Sequence, residues 1–172
     1  DGISPLAEPH AHNKVGYPDP TPCRLADHLY RSPDLENWVY MGEFIDNDIF
    51  GFSGDDGSCP YFWPIGDRHI LLTFSHVHSA MYVIGDYDRL RQKFVARRGG
   101  NLNTGRQGSG SIHAPSACPD GKGGLNCIYN VSEGRPQEGW SQIMSLPRNY
   151  TLGEDERLLM APAGDIESLR RH

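Results

Sequence analysis

Two short apolar, β-prone runs, residues 70–74 (Ile-Leu-Leu-Thr-Phe) and residues 81–84 (Met-Tyr-Val-Ile), stand on either side of a brief polar connector. Gly66-Asp67 precedes the first and Gly85-Asp86 follows the second. Runs this short, closed by turn residues, predict an antiparallel hairpin. Similar runs recur along the chain, at residues 29–30, 39–45, 93–96, 125–131, 140–146, 150–152 and 158–161. Only residues 165–171 carry helical spacing, behind an Asp165 suited to cap it. With 20 Gly and 13 Pro spread between the runs, turns are frequent and strands stay short. Such a pattern predicts an all-β fold: a sandwich, a barrel or a propeller. Periodicity does not choose among them.

Charge and composition narrow the partners. The net charge is −6, and Lys and Arg are scattered without interleaved aromatics, which disfavours nucleic acid and anionic membrane. No apolar run approaches the ~18 residues of a membrane span. Four cysteines (Cys23, Cys59, Cys118, Cys127) form no C-x-x-C pair, so zinc has little support. His76 and His78 share a strand-face spacing but have no acidic or thiol partner nearby in sequence, and His10 and His12, with the same spacing, fall in the N-terminal arm. Gly108-Ser109-Gly110 lacks a following helix, and no G-x-S-x-G occurs. No metal or other cofactor is expected. Cys118 and Cys127 flank a Gly-rich turn at residues 119–124, where a hairpin disulfide is one reading. Two sequons, at Asn130 and Asn149, favour an extracellular or periplasmic location, with the cytoplasm left open. Residues 1–28 read as an extended arm and residues 29–172 as one domain. The long Gly/Asn/Ser loop at residues 97–111 suggests service to a site.

Several motifs do choose a fold. Residues 30–38 (Tyr-Arg-Ser-Pro-Asp-Leu-Glu-Asn-Trp) resemble the Y-x-S-x-D-L-x-x-W element of five-bladed propeller glycosidases. Residues 58–66 (Ser-Cys-Pro-Tyr-Phe-Trp-Pro-Ile-Gly) resemble the E-C-P-D-F-F-P-L-G signature of invertase-type sugar hydrolases, glycoside hydrolase family 32. Residues 81–88, 139–148 and 158–170 are similar to that family's Y-x-I-G-x-Y-D, G-W-x-x-x-x-S-L-P-R and closing L-x-x-x-P-x-x-E-L-x-x-L-R segments. The five occur in the family's order over residues 29–171. The resemblance implies a five-bladed β-propeller, of which this chain supplies about three blades. It also implies retaining hydrolysis of β-fructosidic bonds in sucrose or fructans by a carboxylate nucleophile and a carboxylic acid. An incomplete ring exposes edges, so the expected partners are a further segment, a second chain or a second copy, besides the sugar.

The chain departs from that pattern where the chemistry lies. No N-D-P-N-G nucleophile motif and no R-D-P motif is present, and Asp19-Pro20 imitates the latter only in part. Ser58 stands where the family's acid stands, and Tyr61 replaces the motif's Asp. The resemblance implies an acidic pair in the loop just upstream in some members, which points to Asp56 and Asp55 as proton donors; a solvated turn is the alternative. Ser58, Tyr61, Trp63 and His113 are the candidate sugar contacts, His113 because residues 113–116 match a site-lining Y-A-P-Q-S strand. Trp63 and Trp140 could stack on a sugar ring, but aromatic residues at such spots are more often blade core, which is the favoured reading. A propeller that binds carbohydrate or assembles without catalysis is the second reading, motivated by Ser58.

Overall fold

The computed structural model describes residues 27–46, 57–75, 79–102, 112–132 and 138–170. They form three antiparallel sheets. A hairpin of β1 (His28–Arg31) and β2 (Val39–Glu43) comes first. A four-stranded meander follows: β3 (Ser58–Ile65), β4 (Arg68–Ser75), β5 (Ser79–Asp88) and β6 (Lys93–Asn101). The last sheet holds β7 (Ile112–Pro119), β8 (Leu125–Val131), β9 (Ile143–Met144), β10 (Arg148–Leu152) and β11 (Leu158–Pro162), in the order β7-β8-β10-β11 with β9 also on β8.

β9 and β10 act as one interrupted strand. β10 pairs with residues 125–127 of β8, and β9 pairs with Asn130 and Val131. Pro147 falls in the gap and has no N–H to give. Ser145 bridges it: the Tyr129 N–H donates to Ser145 Oγ (2.9 Å), and the Ser145 N–H donates to the Tyr129 carbonyl (2.7 Å). The third sheet is therefore a second four-stranded blade. The expected strand over residues 140–146 is thus shortened, and Trp140 is 49% exposed rather than core.

The expected 70–74/81–84 hairpin is present as β4–β5, with Ile70 opposite Ile84 and Leu72 opposite Tyr82. Its continuous apolar run has a tertiary reason, since β4 is buried on both faces. Ile70 and Leu72 join Ile84, Leu125, Tyr129 and Tyr150 in a core between the two blades. Leu71, on the opposite face, joins Phe44, Val83 and Phe94 in a second core beneath the β1–β2 hairpin. Each fully buried aliphatic side chain there contributes about 1.5–3 kcal/mol. Phe62 extends the second core, with its ring 4.9 Å from Phe44 and edge-on. The described residues thus form two blades and a hairpin stacked face to face in chain order.

Three expectations need correction. Residues 97–101 continue β6 instead of opening the loop. Their pairing with residues 81–84 of β5 satisfies backbone groups that a loop would leave to water. Cys118 and Cys127 are free thiols, Cys118 exposed and Cys127 buried. In register, Cys118 faces Asn126 and Cys127 faces Ala117. The two sulfurs are one step out of register and leave opposite faces of the sheet. The helical piece at residues 165–171 is a single 3-10 turn (Ile166–Leu169), and Asp165 does cap it by accepting from the Glu167 N–H.

The motif at residues 30–38 is a turn device. Asp34 accepts from the Glu36 and Asn37 N–H groups (2.9 and 2.8 Å), and Ser32 Oγ accepts from the Leu35 N–H (2.7 Å). Hydrogen bonds from Asn37, then Glu36 and Ser32, hold the Asp34 carboxyl well below its ordinary range. Asn149 has a structural duty as well. Its side-chain amide donates to Asp120 Oδ2 (2.8 Å), to Asn126 Oδ1 (3.1 Å) and to the Leu125 carbonyl (3.3 Å).

In the inter-blade core, the Tyr129 and Tyr150 hydroxyls lie 2.6 Å apart. Burial pushes both tyrosines up, and for Tyr129 the neighbouring Tyr150 and Cys127 add to it. In the unfolded chain tyrosine ionises near pH ~10. Below that pH both states hold these protons and nothing is lost. Above it only the unfolded state releases them, so stability falls as pH rises. We expect Tm to drop more steeply between pH ~9 and ~11 in the wild type than in a Tyr129→Phe/Tyr150→Phe double variant, which removes both partners together. Equal slopes in thermal melts would reject this origin.

Candidate functional site

The blades share one geometry at their inner edge. β3 and β7 are the first strands of their sheets, and β7 packs against β3 as well as against β4 and β5. In a propeller the strands that meet in this way line the axis. Turns mark one rim. The Gly66 N–H, in the β3–β4 turn, donates to the Gly123 carbonyl in the β7–β8 turn (2.7 Å). Arg68 ties the same rim, reaching Asp86 (2.7 Å) and Glu156 (2.6 Å). Burial raises the Asp86 carboxyl, but Arg97 and Arg68 outweigh it and hold the group below its ordinary range. This is a structural clamp between blades.

The opposite rim holds the candidate residues. Ser58 pairs with Phe74, and Tyr61 pairs with Leu72, so β3 carries one extra residue between them. His113 pairs with Asn130 and Ser116 with Ile128, giving β7 the same extra residue. Both bulges have one chemistry, Cys59-Pro60 on β3 and Ala114-Pro115 on β7. Cys59 and Ala114 adopt left-handed backbone, with φ of 51° and 47°. Such a conformation costs a non-glycine residue about 1–2 kcal/mol. Proline suits a bulge because its missing N–H would be unpaired there. Strained residues and bulges in this setting mark sites that re-aim side chains. Ser58 and His113 thus hold equivalent stations before the bulges, and Tyr61 and Ser116 hold equivalent stations after them.

Contacts join these stations across the blade boundary. The His113 ring lies 5.2 Å from that of Phe74, the register partner of Ser58. Tyr61 Oη is 3.5 Å from Ser116 Oγ. Ser58, Tyr61 and His113 are half-buried, and Ser116 is exposed. Trp63 lies farther down β3, opposite Ile70, packed on the inter-blade core. Its Nε1 is buried and has no hydrogen-bond partner among the described residues. Asp55 and Asp56 lie outside the described residues, as do Asp19, His10, His12, His76 and His78. Among the described residues no group of three His, Cys, Asp or Glu side chains is placed to hold a metal, and no helix is long and apolar enough to cross a membrane.

Ser116 was not among the sequence candidates. The signal was present as Ser58-Cys59-Pro60-Tyr61 and His113-Ala114-Pro115-Ser116, two four-residue pieces with proline third. Only the register of the two bulges shows that they are counterparts.

Stacked antiparallel blades with bulged inner strands at one rim define a segment of a β-propeller. A Bombyx mori family 32 beta-fructofuranosidase solved with sucrose has the same fold, with a TM-score of 0.65 at 24% identity over 84% of this chain and 33% of that one. The family model "Glycosyl hydrolases family 32 N-terminal domain" matches residues 24–162, and the chain belongs to that family. An insoluble isoenzyme of beta-fructofuranosidase from Arabidopsis thaliana is 28% identical over 169 residues, covering 83% of this chain and 28% of the relative. A sucrose-6-phosphate hydrolase from Staphylococcus xylosus is 25% identical over 82% of this chain and 30% of its own length. A cell wall beta-fructofuranosidase isozyme from Pisum sativum is 26% identical over 97% of this chain and 38% of its own length. The chain therefore spans well under half the length of these relatives.

Proposed function

We propose that this chain is part of a propeller that hydrolyses β-fructosidic bonds in sucrose or fructans, with retention of configuration. Family membership over residues 24–162 carries the reading, and the twin-bulged rim is consistent with it. A glycosidic oxygen leaves poorly unless it is protonated as the C–O bond breaks. Asp56 and Asp55 are the proposed proton donors, since Ser58 has no proton to give near neutral pH. A carboxylate outside these 172 residues attacks the anomeric carbon to form an ester. Water then cleaves the ester, with the former acid acting as base. Ser58, Tyr61 and His113 are proposed to contact the sugar. Trp63 contributes mainly by holding the inner strand in place. The Pisum sativum cell wall relative supports an extracellular location.

The test is an assay of the protein as its natural source makes it, with its intact mass determined, against sucrose, sucrose 6-phosphate and inulin. Release of fructose, first as the β-anomer by NMR, is expected. Sugar binding without any release would favour the second reading, a carbohydrate-binding propeller, for which Ser58 at the acid position is the supporting observation. Neither release nor binding would reject both.

A further inference from the structure

We infer that Tyr61 and Ser116 form a clip for a single hydroxyl group of a neutral sugar, built across the boundary between the two blades. The inference rests on the proposed sugar-hydrolase reading and adds to it a contact residue and a mode of recognition. Four observations carry it. The two residues occupy equivalent stations, each directly after the proline of a bulge. Each bulge is maintained at the expense of a left-handed non-glycine residue, Cys59 or Ala114. The two oxygens are 3.5 Å apart, beyond the ~2.5–3.0 Å of an ordinary O–H···O bond. Ser116 is exposed and Tyr61 half-buried, so a ligand can reach both.

The spacing is informative. Two hydroxyls at this distance satisfy each other poorly, and each keeps donor and acceptor capacity. An oxygen placed about 2.8 Å from both completes the pair. Both groups are uncharged, so the clip suits an alcohol rather than a carboxylate or phosphate. Tyr61 belongs to the first described blade and Ser116 to the second, which makes the spacing a property of blade packing. The inter-blade core beneath Tyr61, including Ile65, Leu72 and Ala117, holds that packing.

The experiment uses the protein as isolated from its source and its recombinant equivalent of the same length. Affinity for fructose, for sucrose and for a set of singly deoxygenated fructoses is measured by calorimetry on wild type, Tyr61→Phe, Ser116→Ala and Ser116→Thr. Thermal melts are run on each. We expect Tyr61→Phe and Ser116→Ala each to weaken fructose binding about 3- to 10-fold with an unchanged melt. Wild type should discriminate against one deoxygenated analogue, both variants should lose discrimination against that same analogue, and Ser116→Thr should keep it. Variants that bind as wild type does, or that lose discrimination at different hydroxyls, overturn the clip while leaving the hydrolase reading intact. Wild type with no affinity for fructose or sucrose overturns both. A variant with a lowered melt is compared through its discrimination pattern, which a general loss of folding does not alter at one hydroxyl alone.

Discussion

Gly85→Ala is expected to lose about 4 kcal/mol of folding stability, a large share of the ~5–15 kcal/mol typical of a folded domain. Gly85 sits at an irregularity in β5, where the register with β6 shifts between Ile84 and Gly85. A Cβ there would lie 2.1 Å from the Val95 carbonyl oxygen and 2.9 Å from the Phe94 ring, where ordinary contact begins at 3.4 Å. Neither neighbour can yield. The carbonyl belongs to the backbone of β6, and Phe94 is fully buried in the core shared with the β1–β2 hairpin. Relief would require moving β6 away from β5 and opening that core. Gly121→Ala is the control. Gly121 has φ of +77° with nothing within 4 Å of the added carbon, so only the left-handed backbone costs energy, about 1–2 kcal/mol. Urea denaturation of the two variants should separate them clearly. A Gly85→Ala protein as stable as Gly121→Ala would show that β5 and β6 are not so closely apposed.

Replacing both Asp55 and Asp56 by Asn is expected to reduce turnover by about 10³-fold, with KM for sucrose changed little. The expectation rests on the proposed hydrolase reading, which requires a proton donor. A glycosidic oxygen leaves poorly at neutral pH unless protonated, and Ser58 stands where the motif resemblance would put the family's acid. The two aspartates stand two and three residues before Ser58 in the sequence. A second variant sharpens the test. Adding Ser58→Glu to the Asp55→Asn/Asp56→Asn double variant restores a carboxyl at the rim station before the β3 bulge, and partial recovery of turnover is expected. Single-turnover kinetics on these variants separate binding from chemistry. Unchanged turnover in the double variant would remove Asp55 and Asp56 from the mechanism.

The predicted hairpin at residues 70–84, the strand of residues 125–131 and the capping role of Asp165 were legible because local signals decide them. Apolar runs, Gly-Asp turns and a capping carboxylate act within a few residues. β3 was harder to read as a strand, because Pro60 and Pro64 interrupt it. An edge strand tolerates them, as one side of its backbone needs no ladder partner. Whether a strand lies at an edge is set by which strands come beside it, and a local window does not contain that information. The extension of β6 through Asn101 was missed for the same reason. Glycines and arginines at residues 97–100 look like loop until β5 is placed alongside.

The amino-acid sequence by itself determined the all-β class, the turn positions and the family likeness through its ordered motifs. These follow from side-chain chemistry and short-range spacing. Only the tertiary structure decided that β4 is buried on both faces, that Cys118 and Cys127 point apart, and that two proline bulges stand in matching register on neighbouring inner strands. Those features depend on contacts between segments far apart in the chain, such as Tyr61 with Ser116, or on the pairing of one strand with the next. A shift of one residue in that pairing would turn each side chain to the opposite face, and the blade-on-blade core of Ile70, Leu72, Leu125 and Tyr150 is what prevents it.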